Sequence, residues 1–205
     1  ALAIDLNNQL WIGTDKGLRY VSNVNQFIDA TEIQSKNIII EEGNNAEELF
    51  YEQAIIDIEV DGANQKWVSL ANAGVYLVSP DGQQTIYKFT KDNSPLPSNN
   101  INDIDIDGTT GEVYFATDKG LVSFQARATA PSEDLSQAYV FPNPVRPEYT
   151  GTVKIAGLSN KANVKITDVQ GNLVYETTSV GGTVEWDTTA FGKYKVATGV
   201  YMVFL

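Results

Sequence analysis

The chain has 205 residues, 42% hydrophobic and 20% charged, a balance that excludes global disorder and leaves room for one large or two modest domains. It has no cysteine and no histidine, which removes disulfides, thiolate nucleophiles, histidine general bases and the usual zinc or haem sites. The net charge of −12 lies wholly in residues 1–133, because residues 134–205 balance six acids (Asp134, Glu148, Asp168, Glu176, Glu185, Asp187) with six bases (Arg146, Lys154, Lys161, Lys165, Lys193, Lys195), and so acidic a surface disfavours nucleic acid and anionic lipid as partners.

The first residues, Ala1-Leu2-Ala3-Ile4-Asp5, read as a strand rather than a signal peptide; the leader of an exported parent is expected upstream. The alternation of Ala3–Leu6 starts a unit that continues through Leu10-Trp11-Ile12-Gly13-Thr14 and, after a turn, Gly17-Leu18-Arg19-Tyr20. The same order returns as Ile55–Val60, Lys66-Trp67-Val68-Ser69 and Gly74-Val75-Tyr76-Leu77. It returns again as Ile101–Ile106, Val113-Tyr114-Phe115-Ala116-Thr117 and Gly120–Phe124. Thr14-Asp15-Lys16-Gly17-Leu18 recurs letter for letter at Thr117-Asp118-Lys119-Gly120-Leu121. The leading aromatics, Trp11, Trp67 and Tyr114, lie 56 and 47 residues apart. That period is close to one four-stranded propeller blade.

An outer fourth strand is predicted at Thr85–Thr90 in the second unit and at Asn37–Glu41 in the first. Asp-Gly pairs at 61–62, 81–82 and 107–108 mark turns that need positive φ. Residues Asn44–Leu49 are expected to make a helical turn inside an insertion around Glu41–Tyr51. The third unit lacks an outer strand, since Gln125–Glu133 has linker composition. A ring of blades closes by taking such a strand from its other end, and three blades are fewer than the usual four to eight. Residues 1–130 are therefore expected to be the terminal blades of a propeller whose ring is incomplete in this chain, followed by a linker at 131–138.

Residues 139–205 follow a different pattern. Phe141-Pro142-Asn143-Pro144-Val145-Arg146-Pro147 is expected to be rigid and extended. Short strands are predicted at Thr152–Ile155, Asn163–Asp168, Leu173–Thr177, Thr183–Trp186 and Val200–Leu205, with hairpin turns at Gln170-Gly171-Asn172 and Gly181-Gly182. This spacing fits a small immunoglobulin-like β-sandwich, ending inside a strand as if truncated. The fold class is thus all-β: partial β-propeller blades followed by a small immunoglobulin-like β-sandwich.

The Leu-Trp-Ile-Gly-Thr…Gly-Leu pattern at 10–18 resembles the two-component-regulator-type propeller repeat of Bacteroidetes proteins. Phe141-Pro142-Asn143-Pro144, the run Val164–Tyr175, and Trp186-Asp187…Val196-Ala197-Thr198-Gly199-Val200-Tyr201 resemble the C-terminal sorting sandwich of type IX secretion cargo and machinery. The combination resembles the PorZ-like components of type IX secretion, across nearly the whole chain. The resemblance implies a non-enzymatic accessory role at the outer-membrane surface or in the periplasm of a Gram-negative bacterium. The partners it implies are sortase-type secretion-machinery proteins, anionic lipopolysaccharide and the remainder of the propeller. The sequence leaves two alternatives open: a periplasmic glycan-sensing propeller of a hybrid two-component system, and a secreted cargo whose tail is its export signal.

Asp103, Asp105 and Asp107-Gly108 match the first half of a calcium loop, but Tyr114 stands where the closing acid is needed, and the carboxylates alternate with Ile104 and Ile106 as a strand requires. Glu41-Glu42 and Glu47-Glu48 could form a glycosidase-type acid pair, yet no histidine, cysteine or lysine cluster accompanies them. Tyr51, Tyr87, Tyr114 and Trp67 could line a sugar surface, although aromatics that lead blade strands usually pack inside. Gly13, Gly181 and Gly182 read as packing or turn glycines. No catalytic, cofactor-binding or metal-binding residue is assigned, and no cofactor is expected.

Overall fold

The computed structural model describes residues 1–28, 31–42, 45–126 and 128–205. It divides into two compact units, Ala1–Ala126 and Arg127–Leu205. The first unit is a series of antiparallel blades. Blade 1 is a sheet of β1 (Leu2–Ile4), β2 (Leu10–Thr14), β3 (Gly17–Val21) and β4 (Lys36–Asn37). A separate hairpin follows, β5 (Ile39–Glu42) with β6 (Asn45–Glu48). Blade 2 comprises β7 (Ile55–Val60), β8 (Lys66–Leu70), β9 (Gly74–Val78) and β10 (Thr85–Phe89). Blade 3 comprises β11 (Ile101–Asp107), β12 (Glu112–Thr117) and β13 (Gly120–Gln125), with no fourth strand among the described residues.

Strand pairing puts the three repeats in one register. Thr14 pairs with Gly17, Leu70 with Gly74 and Thr117 with Gly120, so Trp11, Trp67 and Tyr114 occupy equivalent positions three residues before each turn. The turn glycines have φ of 124°, 87° and 133°, a region that side chains with a Cβ avoid, which explains why this glycine recurs.

A blade buries its faces only against its neighbours. Trp11 packs with Ile55, Ile58 and Val68 of blade 2, and Trp67 with Ile101, Ile104 and Phe115 of blade 3. The equivalent positions Leu18, Val75 and Leu121 are 0%, 0% and 67% exposed, because no further blade among the described residues covers Leu121. On the opposite face Ile58 and Ile104 are 1% and 2% exposed, whereas their counterpart Leu2 in blade 1 is 68% exposed. Both outer faces of the series are thus uncovered among the described residues.

The second unit has two three-stranded antiparallel sheets. One holds β14 (Tyr139–Phe141), β15 (Val153–Ala156) and β18 (Thr183–Trp186) in the order β14-β15-β18. The other holds β16 (Asn163–Asp168), β17 (Leu173–Thr178) and β21 (Tyr201–Phe204) in the order β17-β16-β21. A short pair, β19 (Thr189–Ala190) and β20 (Tyr194–Lys195), lies outside both. Val153, Ile155, Leu158, Val164, Ile166, Val184 and Trp186 form one core, and Trp186 Nε1 donates to the Thr189 carbonyl at 2.9 Å.

Several local expectations are corrected. The outer strand of blade 1 is only Lys36–Asn37, since Ile39–Glu42 turns away to pair with β6. Residues 45–48 form a strand, not a helical turn, because Ile39, Ile40 and Glu41 supply a ladder partner; Asn44 lies outside the described residues. Positive φ falls on Gly82 as expected, but on Asn64 and Gly111 rather than Gly62 and Gly108. In the first of these turns the Asp61 carboxylate accepts from the N–H groups of Ala63 and Gln65, which moves the left-handed residue to the fourth place. Residues 142–144 bend rather than extend, with both Phe141–Pro142 and Asn143–Pro144 cis. Of the segment expected as linker, Ser132 donates to the Leu158 carbonyl and Leu135 packs on the sandwich core.

The burial contrast predicts that Trp67→Ala destabilises the protein by about 3–5 kcal/mol in a denaturant titration. Leu121→Ala, on the open face, is expected to change stability by less than about 0.5 kcal/mol. Equal effects would mean that the repeats are in a different register.

Candidate functional site

The polar groups of the first unit converge at the seam between blades 1 and 2. Asp5 ends β1, and its Oδ1 accepts from the N–H groups of Asn7 (2.8 Å) and Gln9 (2.9 Å), fixing the turn into β2. Its Oδ2 faces the next blade, where it accepts from Lys66 Nζ at 2.9 Å and, within its own blade, from Trp11 Nε1 at 3.1 Å. Lys66 Nζ also donates to the carbonyls of Asn64 (2.8 Å) and Pro80 (2.7 Å) and sits 4.4 Å from the centre of the Trp11 ring. The Asp5 and Lys66 side chains are both fully buried. All three ammonium hydrogens have acceptors, the condition under which a buried ion pair is tolerated. Burial pushes the Asp5 carboxyl up, but the Lys66 ammonium and the turn N–H groups outweigh it and hold the carboxyl below its ordinary value. Burial pulls Lys66 below the ordinary lysine value against the opposing attraction of Asp5, Asp61 and Asp81.

The seam between blades 2 and 3 lacks this pair. By register Lys66 corresponds to Leu10 in blade 1 and Val113 in blade 3. Asp61, the counterpart of Asp5, therefore faces valine where Asp5 faces lysine. Asp61 Oδ2 and Trp67 Nε1 are both buried without a hydrogen-bond partner. Burial raises the Asp61 carboxyl from 3.8 to about 6, against the Gln65 and Ala63 N–H groups and the Lys66 charge.

Beside the ion pair the seam opens into a cavity of about 320 Å³. It is lined from blade 1 by Asn7, Gln9, Trp11, Tyr20 and Asn37, from the chain that follows it by Ile38 and Ile39, and from the β9–β10 turn by Pro80, Asp81 and Gln83. Trp11 and Tyr20 lie with ring centres 6.2 Å apart. Asp81 accepts from Ser79 Oγ at 2.6 Å and the Gln83 N–H at 3.0 Å, and these bonds hold its carboxyl below the ordinary value.

Among the described residues, those singled out from the sequence do not assemble into a reaction centre. Asp107 caps its own turn through the Thr109 N–H and Thr110 Oγ1, while Asp103 and Asp105 lie near Glu59 of the neighbouring blade. Burial raises the Glu59 carboxyl, with Asp57, Asp105 and Asp103 adding repulsion. Among the described residues no three His, Cys, Asp or Glu side chains are grouped to hold a metal. The Glu41 and Glu42 side chains lie outside the described residues; Glu47 is exposed, and Glu48 is bound by Asn37 and Arg19. Tyr51 is exposed on a turn, Trp67 is buried, and the Tyr114 hydroxyl donates to Glu112 at 3.0 Å. Tyr87 belongs to an aromatic cluster with Phe89 and Phe124. A Cβ on Gly13 would collide with Ile55, and one on Gly182 with the Ala130 carbonyl. Asp5, Lys66 and the cavity were not singled out from the sequence. The available signal was a lysine at a repeat position that is otherwise leucine or valine.

In the second unit, among the described residues, β21 pairs only with β16 and forms a sheet edge with Met202 and Phe204 exposed. Among the described residues no helix is long and apolar enough to cross a membrane.

The fold and seams define an all-β protein of propeller-type blades joined to a small immunoglobulin-like sandwich. Residues 139–205 match the family described as the secretion system C-terminal sorting domain. Over 98% of its length the chain is similar to PorZ of Porphyromonas gingivalis, an essential bacterial surface component of the type IX secretion system, with 38% identity and a TM-score of 0.62. The chain spans 27% of that protein. It is also similar to the extracellular domains of two putative hybrid two-component systems of B. thetaiotaomicron, BT3049 and BT4673. The identities are 19% and 16% over 91% and 85% of this chain, each covering 22% of the other chain, with TM-scores of 0.47 and 0.46. No curated protein matches. The chain is PorZ-like, and its C-terminal unit is a sorting-type domain that links it to type IX secretion.

Two measurements test the seam chemistry. Lys66→Met leaves the Asp5 carboxylate buried without its cation, and is expected to cost about 3–5 kcal/mol at neutral pH in urea unfolding. Asp5→Asn combined with Lys66→Met should recover part of that loss. Asp61 acts in the opposite sense with pH. Its folded-state value lies above its unfolded one, so its contribution is fully present below about pH 4 and lost as pH rises through about 6. Asp61→Asn, which retains the turn acceptor without the charge, is expected to stabilise the protein by about 3 kcal/mol at pH 8 and very little at pH 4. An equal effect at both pH values would refute a buried, uncompensated carboxyl.

Proposed function

We propose that the chain is part of a non-enzymatic accessory component of type IX secretion, exported to the outer-membrane surface or the periplasm, where it binds protein or anionic lipopolysaccharide partners. The observation that carries this reading is the union, in one chain, of propeller-type blades with a matched sorting-type sandwich, alongside similarity to PorZ over 98% of the length. A binding rather than catalytic role is supported by side-chain chemistry. The chain has no histidine or cysteine, and its buried ion pair is consumed by structural hydrogen bonds. The open blade faces, which expose Leu2 at one end and Leu121 at the other, fit further blades of the same repeat. The free β21 edge and its apolar side chains fit a protein strand.

Deletion of the parent gene in its host tests the reading. Secreted cargo is expected to keep uncleaved C-terminal signals and to fail to attach at the cell surface, as seen by immunoblotting of cell and medium fractions. Normal cargo maturation with lost growth on one polysaccharide would favour a glycan sensor instead. Normal maturation with loss of a single secreted activity would favour an ordinary cargo.

A further inference from the structure

Register allows the two seams to be compared position by position. At the blade 2–3 seam Leu77 pairs with Trp67, and Phe124 pairs with Val113. Phe124, Phe89, Tyr87 and Trp67 fill that seam as one aromatic cluster, with ring centres 4.9 Å apart for Phe89–Phe124 and 5.9 Å for Trp67–Phe124. At the blade 1–2 seam Tyr20 stands in the place of Leu77, Val78 in that of Phe124, and Asn7 in that of Ala63. Val78 is smaller than Phe124, Tyr20 and Asn7 are more polar than Leu77 and Ala63, and this seam holds the cavity of about 320 Å³.

The lining has a definite chemistry. Among the described residues the side-chain amides of Asn7, Gln9 and Gln83 make no hydrogen bond, although the main-chain N–H groups of all three do. A primary amide offers two donors and an acceptor, which suits a ligand that presents hydroxyls able to act as both. Tyr20, half-buried, supplies an aromatic face at the same opening, and its hydroxyl has no hydrogen-bond partner among the described residues. Among the described lining residues Asp81 alone is charged, a second acceptor for a hydroxyl and a repulsive group for an anion. The volume lies at the lower end of small-ligand sites.

We propose that the blade 1–2 seam binds one neutral sugar residue of a glycan. Tyr20 stacks on the ring, Asn7, Gln9 and Gln83 bond its hydroxyls, and Asp81 accepts from one of them and excludes phosphorylated or carboxylated sugars. This inference rests on the seam alone and does not require the secretion reading.

Saturation-transfer difference NMR on the full chain tests it, with methyl glycosides of glucose, galactose and mannose and with N-acetylglucosamine as probes. At least one probe is expected to give a signal, and mannose 6-phosphate a weaker one than mannose. Gln83→Ala, an exposed turn substitution, and Tyr20→Ala are each expected to weaken the responding sugar by about tenfold, the loss of one bond or stacking contact. A thermal melt checks that each variant is folded, and Gln83→Ala keeps the test valid if Tyr20→Ala does not fold. Silence from all four sugars, a response unchanged in folded Gln83→Ala protein, or a stronger response to the phosphate would overturn the proposal.

Discussion

Each blade has an apolar face that it cannot bury by itself, and the rest of the first unit follows from that constraint. Trp11 and Trp67 lead equivalent strands, and both are buried only because the next blade supplies isoleucine and valine or phenylalanine to cover them. A β-sheet a few strands wide is marginal alone, so stacking neighbours is what makes the repeat stable. The same rule explains why leucines at equivalent positions range from fully buried to mostly exposed.

Within this apolar scheme the two seams are made distinct by a few polar substitutions. Asp5 and Lys66 place a fully satisfied ion pair between blades 1 and 2, whereas Asp61 has no cation placed to bond it. Buried pairs seldom stabilise more than apolar residues of the same volume, but they penalise any arrangement that separates them. The pair thus favours one neighbour for blade 1, since no other blade of the chain offers lysine at that register position. The seam between blades 2 and 3 relies on aromatic packing and tolerates an unpaired carboxyl. The acidic row of Asp57, Glu59, Asp103 and Asp105 adds repulsion between the inner strands of those blades.

The second unit is held differently. Its core is one compact cluster around Trp186, Leu158 and Ile166, and its turns rest on aspartate caps such as Asp168, which accepts from Gln170 and Asn172. Apolar side chains remain on the surface at Tyr139, Phe141, Tyr194 and Phe204, the last of them on the edge strand β21. An exposed edge with apolar flanks is unusual on an isolated domain, because it invites pairing with another strand.

The sequence by itself determined the elements with strong local signals. The strands Ile55–Val60, Asn163–Asp168 and Thr183–Trp186 were legible to the residue, because alternation and turn chemistry act within a few positions. The repeat also revealed the equivalence of Trp11, Trp67 and Tyr114, since a turn glycine with positive φ recurs wherever the backbone demands it. Weakly patterned segments were not legible: Lys36–Asn37, Asn45–Glu48 and Tyr139–Phe141 become strands through partners that lie outside the local window. The candidate site belongs to the same class. Asp5 and Lys66 are 61 residues apart, and the cavity draws on turns of two blades, so no local pattern brings its residues together. Only the tertiary structure decided which seam is filled by phenylalanine and which stays open, because that depends on side-chain volumes meeting across a blade boundary.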